Sequence, residues 1–136
     1  MRPGTYKAWV STNQANGTPA TRFTQSATPY VKVDGVKVAN NWADLIDGTL
    51  LSPINLTESG GPAPQGTVGC PQGNPTVWTA TTATVTLSNA ASTCSNWTST
   101  NGGSLWGRTT ATDTTWTNWC SGGICSWTAP IFCFQQ

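Results

Sequence analysis

The segment 29–60, PYVKVDGVKVANNWADLIDGTLLSPINLTESG, restricts the possible folds more than any other stretch. Val31 and Val33 precede the dipeptide Asp34-Gly35, and Val36 and Val38 follow it. Asp-Gly favours a two-residue type I′ turn. Such a turn sets Val33 opposite Val36 and Val31 opposite Val38, so four valines share one face while Lys32 opposes Lys37 on the other. Gly35 is then expected at positive φ. Further on, Asn40 or Asn41 is placed to cap a short helix near residues 41–47. Trp42, Leu45 and Ile46 supply its i, i+3, i+4 spacing and Gly48 its stop. Leu50, Leu51, Ile54 and Leu56 make an apolar exit, and the whole unit is expected to be scaffold that seeds a core.

The remainder reads mainly as strand and loop. Tyr6, Ala8 and Val10 alternate with Lys7 and Trp9, which predicts a strand over 5–12. Residues 13–20 form a polar loop, and the glycines and prolines of 59–75 exclude a regular element there. Residues 76–88, TVWTATTATVTLS, read as strand throughout. Short strand and loop are expected over 105–119, with a buried closing strand at 131–134. The fold class is therefore α+β and predominantly β, with one short helix, long loops and a single domain over 1–136.

Several function classes are disfavoured by composition. The chain contains no His, which removes Ser-His-Asp triads, Cys-His dyads and the usual zinc sites. Its five carboxylates are Asp34, Asp44, Asp47, Glu58 and Asp113, and Asp34 belongs to the turn. Few candidates are left for a general acid–base pair, so the chain reads as a non-enzyme. Six Lys and Arg, scattered along 136 residues, make no basic patch, and no nucleic-acid partner is expected. No run approaches the roughly 18 apolar residues of a membrane span. The chain opens MRPGTYKAWVST, without the apolar core and cleavage site of a signal peptide. Five cysteines nonetheless point to an oxidising compartment, and 25 Thr with 11 Ser imply a hydroxyl-covered surface of extracellular type. An extracellular or cell-surface location follows from those two features.

Recognition falls to the tryptophans. Trp106, Trp116, Trp119 and Trp127 lie within 22 residues among Gly, Thr and Asn. Exposed, they are stacking platforms for sugar rings or anchors for a protein partner; buried, they are core. Trp9, Trp42, Trp78 and Trp97 read as core. The cysteines allow 15 arrangements of two bridges with one thiol left over. Ser121-Gly122-Gly123-Ile124 between Cys120 and Cys125 is flexible enough to let that pair close, and Cys70 with Cys94 is the second natural pair. Cys133 remains, either buried and reduced or bonded to another chain. The sequons at Asn16, Asn55 and Asn96 read as incidental.

Four blocks carry a resemblance: GTYKAWVS from Gly4, the 29–60 segment, CSNWTS from Cys94, and the ending IFCFQQ. Together they resemble a domain family of unknown function from bacterial surface and secreted lipoproteins of spirochaetes and myxobacteria. That family is grouped with the C-type-lectin-like and endostatin-like folds, and the match runs from about Gly4 to Gln136. The resemblance implies a C-type-lectin-like domain that starts late, because family members carry a strand and a long helix upstream of GTYKAW. It also implies that a last-strand cysteine such as Cys133 would bridge to that helix. Lectins of this fold often bind sugar through calcium, for which Asn41, Asp44, Asp47, Asn55 and Glu58 are the nearest oxygen ligands. The Glu-Pro-Asn and Trp-Asn-Asp motifs of such lectins are absent, so no cofactor is expected beyond this weak calcium candidate. The reading is a non-catalytic extracellular binding module that engages a glycan or surface protein through loops between 59 and 127. The alternative is a structural, self-assembling subunit of an extracellular filament or virus-like coat, completed by its neighbours.

Overall fold

The computed structural model describes residues 3–64 and 75–136. It is α+β and predominantly β, with three small antiparallel sheets and helices of one turn each. Strand β1 (Tyr6–Ala8) pairs with the last strand, β7 (Cys133–Gln135), and β2 (Tyr30–Val31) pairs with β3 (Lys37–Ala39). Strands β4 (Thr76–Trp78), β5 (Gly103–Arg108) and β6 (Cys120–Ile124) form the third sheet in that order. Helix α1 (Pro19–Arg22) begins at the end of the segment 13–20 read as loop and runs past it; Pro19 at its first turn supplies the preset φ that starts it. No helix among the described residues is long and apolar enough to cross a membrane.

Gly35 has the expected positive φ of 85°. The hairpin register around it is different from the expected one. The Gly35 N–H donates to Lys32 O and the Lys32 N–H to Val36 O, both at 2.9 Å, which makes a three-residue loop of Val33, Asp34 and Gly35. Tyr30 pairs with Ala39 but Val31 with Lys37, so Val38 falls in a bulge between the two pairs. Val38 is buried, whereas Val31 and Val36 are 56 % and 44 % exposed. The four-valine face does not form. The lysines supply a physical reason: a two-residue turn opposes them. Here Lys32 Nζ donates to Asn55 Oδ1 at 3.2 Å, while Lys37 Nζ donates to Asn40 Oδ1 at 3.0 Å.

Helix α2 (Trp42–Leu45) forms where the spacing predicts one and is shorter than 41–47. Asn41 caps it by accepting the Asp44 N–H at 3.0 Å, and Trp42 and Leu45 are its buried face. Residues 76–88 do not run as one strand. Strand β4 ends at Trp78, and the positive φ of Ala80 (49°) and Val85 (59°) turns the chain into a loop closed by a Thr81–Leu87 bridge. The Thr-rich alternation of that segment mimics a strand while its hydroxyls serve local turns. Thr82 Oγ1, for example, lies 2.7 Å from Thr86 Oγ1.

The core is centred on Trp9. Its ring lies 4.8 Å from Trp116, 5.6 Å from Phe23, 5.6 Å from Phe134 and 6.0 Å from Trp42. The Trp9 indole N–H donates to Thr117 Oγ1 at 2.8 Å, and Thr117 Oγ1 donates to Thr81 O. Ser11 and Thr79 extend this buried hydroxyl network. Part of the threonine excess is thus interior wiring rather than surface cover.

Candidate functional site

A second aromatic group lies on the β4–β5–β6 sheet. Trp78 and Trp106 face each other across β4 and β5 with ring centroids 4.4 Å apart. Trp97 meets the edge of Trp78 at 6.0 Å, and Trp127 meets Trp106 at 5.8 Å. Trp106 has no exposed surface, because Gly123 on β6 leaves room for its ring: a Cβ on Gly123 would stand 1.3 Å from Trp106 Nε1.

Of the four tryptophans offered as recognition candidates, Trp116 joins the Trp9 group, Trp106 and Trp127 join the second group, and Trp119 packs against Arg108. Trp116 is buried against Trp9, and Trp106 against Trp78. Neither has surface to offer a ligand. Trp119 and Trp127 are half-buried, the first under the Arg108 guanidinium at 5.0 Å from its ring centre. Interior packing claimed two of the four: Trp106 lies in the buried stretch of β5, and Trp116 is the buried residue of the turn 114–116.

Three members of the weak calcium set accept hydrogen bonds from protein donors. Asp44 Oδ2 accepts from the Asn40 backbone and side chain, Asp47 Oδ1 accepts from Thr49, and Asn55 Oδ1 accepts from Lys32. Glu58 is exposed. No group of three or more His, Cys, Asp or Glu able to hold a metal ion occurs among the described residues.

The cysteine pairing differs from the expected one. Cys94 bonds Cys125, with Cα atoms 5.6 Å apart. Cys120 is also disulfide-bonded, and Cys70 lies outside the described residues. The expected Cys120–Cys125 bridge fails because the intervening residues are strand β6 rather than a turn. An extended strand advances about 3.3 Å per residue, so it carries the two sulfurs apart. Cys133 is an exposed free thiol, not a buried one. Partial burial of its sulfur, and then the charge of Glu58, push its pKa up.

The Cys94 bond anchors a run of unusual backbone. Cys94, Ser95, Asn96 and Trp97 all have positive φ (50°, 53°, 60° and 67°), and Ser95 and Asn96 have ψ of 50° and 38°. These four residues form one left-handed helical turn, α3 (Cys94–Trp97). Left-handed turns cost roughly 1–2 kcal/mol per non-glycine residue, and four in succession are seldom tolerated. Several contacts fix this one. Thr93 O accepts the Trp97 N–H at 2.7 Å and Thr93 Oγ1 accepts the Asn96 N–H at 3.1 Å. Asn96 Oδ1 accepts from the Asn13 backbone at 2.8 Å, and the Trp97 indole N–H donates to Ser11 O at 3.0 Å.

A cavity of about 350 Å³ opens beside this turn, lined by Trp78, Trp97, Thr98, Ser99, Thr100 and the Cys94–Cys125 bridge. Two tryptophans and three hydroxyl-bearing residues therefore line one depression. The sequence signal for it was the run Trp97-Thr-Ser-Thr-Asn, an aromatic followed by hydroxyls. It was hidden by the reading of Trp97 as core, whereas Trp97 is half-buried. A larger groove of about 820 Å³ runs between β2, β7 and the chain around Ile54 to Pro64. Tyr30, Val38, Ile54, Leu56, Ile131 and Phe132 give it a mainly apolar lining.

Neither a scan against protein-family models nor a search of curated proteins finds a match for this chain.

Proposed function

We propose that the domain is a non-catalytic extracellular binding module, C-type-lectin-like in the sense of its sequence resemblance, that takes a glycan in the cavity beside Trp97. The observation that carries this reading is the juxtaposition of Trp78 and Trp97 with the hydroxyl-bearing residues Thr98, Ser99 and Thr100 around a depression of about 350 Å³. That volume is at the small end of ligand pockets, which pair apolar walls with a few placed polar groups. A pyranose ring has one face of C–H bonds, which stacks on an indole, and an edge of hydroxyls, which exchange hydrogen bonds with Ser and Thr. The lining contains no charged side chain, which favours a neutral sugar and recognition without calcium.

A glycan array probed with the oxidised domain tests this. Neutral glycans are expected to bind equally with and without a chelator, and Trp97→Ala is expected to weaken binding by about tenfold or more, the loss of one stacked ring. An array with no bound glycan, or binding unchanged by Trp97→Ala, overturns the reading.

The alternative, a structural subunit of a filament or coat, draws its support from the 820 Å³ groove. The groove lies beside β7, which has a strand neighbour on one side only among the described residues. An added strand from a neighbouring subunit suits such an edge. Negative-stain microscopy of native material separates the two readings.

A further inference from the structure

We infer that the left-handed turn Cys94–Trp97 is a strained latch on the cavity, held in its conformation by the Cys94–Cys125 disulfide. Reduction by a dithiol would then disarm the binding site without unfolding the domain. This rests on the glycan reading for its consequence but not for its mechanism.

Four consecutive residues at positive φ do not persist through their own propensities; the surroundings must over-determine them. The constraints are the two Thr93 acceptors, the Asn96 and Trp97 side-chain bonds to the 11–13 backbone, and the disulfide. Of these only the disulfide is covalent. It joins the first residue of the turn to a chain segment fixed by the Cys125 N–H donating to Gly102 O at 3.0 Å. Trp97, the last residue of the turn, is a wall of the cavity. Relaxing the turn to ordinary φ would redirect that ring. It would also take the Trp97 indole N–H away from Ser11 O.

The bond is also within reach. Both of its cysteines line the open cavity; Cys94 is buried, while Cys125 is half-buried and offers the more accessible sulfur. A thiolate of the dithiol attacks Cys125 Sγ, forming a mixed disulfide and releasing Cys94 as a thiolate. The second thiol of the reductant then displaces Cys125 and closes the reductant's own disulfide. Two electrons and two protons pass to the protein, leaving two cysteine thiols. The apolar core around Trp9 includes neither Cys125 nor Trp97, so it is expected to survive this change.

The test follows the indole N–H signals of Trp97 and Trp9 by NMR in the oxidised domain and after dithiothreitol. Alkylation and mass mapping verify which bond has opened. A Cys94→Ser/Cys125→Ser variant gives the same state without touching the bond at Cys120. Exchange of the Trp97 indole proton is expected to rise by about tenfold or more, with that of Trp9 unchanged, as local opening requires. Ser95→Gly, which removes the penalty at one turn position and leaves the Asn96 side-chain bond in place, is expected to keep the Trp97 proton better protected after reduction than in the reduced wild type. Equal Trp97 protection in the oxidised and reduced wild type overturns the latch. So does simultaneous loss of Trp9 protection, which would make the bond a global staple. Addition of methyl pyranosides to the same samples distinguishes the two proposals. If none perturbs the oxidised domain, the glycan reading fails while the exchange result still decides the latch.

Discussion

Trp9 and Trp106 are both fully buried, yet the molecule accommodates their indole N–H groups in opposite ways. Around Trp9 the polar atom is provided for: Thr117 accepts its proton, Thr81 accepts from Thr117, and four aromatic rings enclose the remainder. Around Trp106 the space is provided but the acceptor is not. Gly123 vacates the volume, Trp78 and Trp127 close the sides, and the indole N–H finds no partner among the described residues. An orphaned buried donor costs about 1–3 kcal/mol. The Trp9 centre is built for stability, whereas the Trp106 centre gives up some of it and sits directly behind the strained turn and the cavity.

The two centres are expected to differ most at Gly123. Gly123→Ala places a methyl group inside the Trp106 ring, and an overlap with so large a buried side chain is expected to cost more than about 4 kcal/mol. Gly122→Ala is its control. That position has φ of 98° but nothing within 4 Å, so its cost should be confined to backbone strain of about 1–2 kcal/mol. Chemical denaturation of the two variants reads the difference directly, and equal costs would show that Gly123 is not reserved for the ring.

A subtler comparison exchanges each indole for a phenyl ring. Trp9→Phe loses volume and a satisfied hydrogen bond, and it leaves Thr117 short of a donor. Trp106→Phe loses similar volume but also removes the orphaned N–H. Trp9→Phe is therefore expected to destabilise the domain by about 1–2 kcal/mol more than Trp106→Phe. Denaturation midpoints at constant m-value test this, and a reversed order would mean that the Trp106 N–H has an acceptor after all.

The smallest effect concerns the Trp9 centre alone. Asp113 caps the 3₁₀ turn Thr114–Trp116 that delivers Trp116 to Trp9. Hydrogen bonds from the Thr115 hydroxyl, then from the Thr115 backbone N–H, hold its carboxyl below the usual carboxylate range, with a further contribution from Arg108. A depressed folded pKa contributes stability that is complete above the ordinary carboxylate value near about pH 4 and is lost as pH falls below that, through the folded value. The wild-type Tm should therefore fall more steeply than that of Asp113→Ala on acidification below about pH 4. The effect is slight because the group is exposed. Parallel Tm profiles would show that the cap adds nothing.

What the sequence made legible, and what it hid, follows from whether a feature is local. Asp34-Gly35 and Asn41 act within four residues, and both the positive φ of Gly35 and the Asn41 cap are found. The hairpin register depends on where Lys32 and Lys37 find acceptors, and Lys32 finds its own 23 positions away at Asn55. Gly122 and Gly123 read as a turn that would join Cys120 to Cys125, because nothing local shows that a tryptophan on the neighbouring strand requires the space. The cavity was the least legible feature. Its walls come from Trp78, the 94–100 stretch and Cys125, and the left-handed turn that orients them has no glycine to announce it.

The pairing of β1 with β7 also has a consequence during synthesis. Phe134 pairs with Lys7, Phe132 O accepts the Trp9 N–H at 2.8 Å, and Trp9 reaches Thr117 across 108 positions of sequence. A ribosome makes about 5–20 residues per second, so the Trp9 region waits for several seconds, with its aromatic surface exposed, before its partners emerge. Closure over such a separation is slow in its own right. During that interval the nascent chain is at its most prone to association with other chains, and folding of the β1–β7 sheet is confined to the time after β7 has left the exit tunnel.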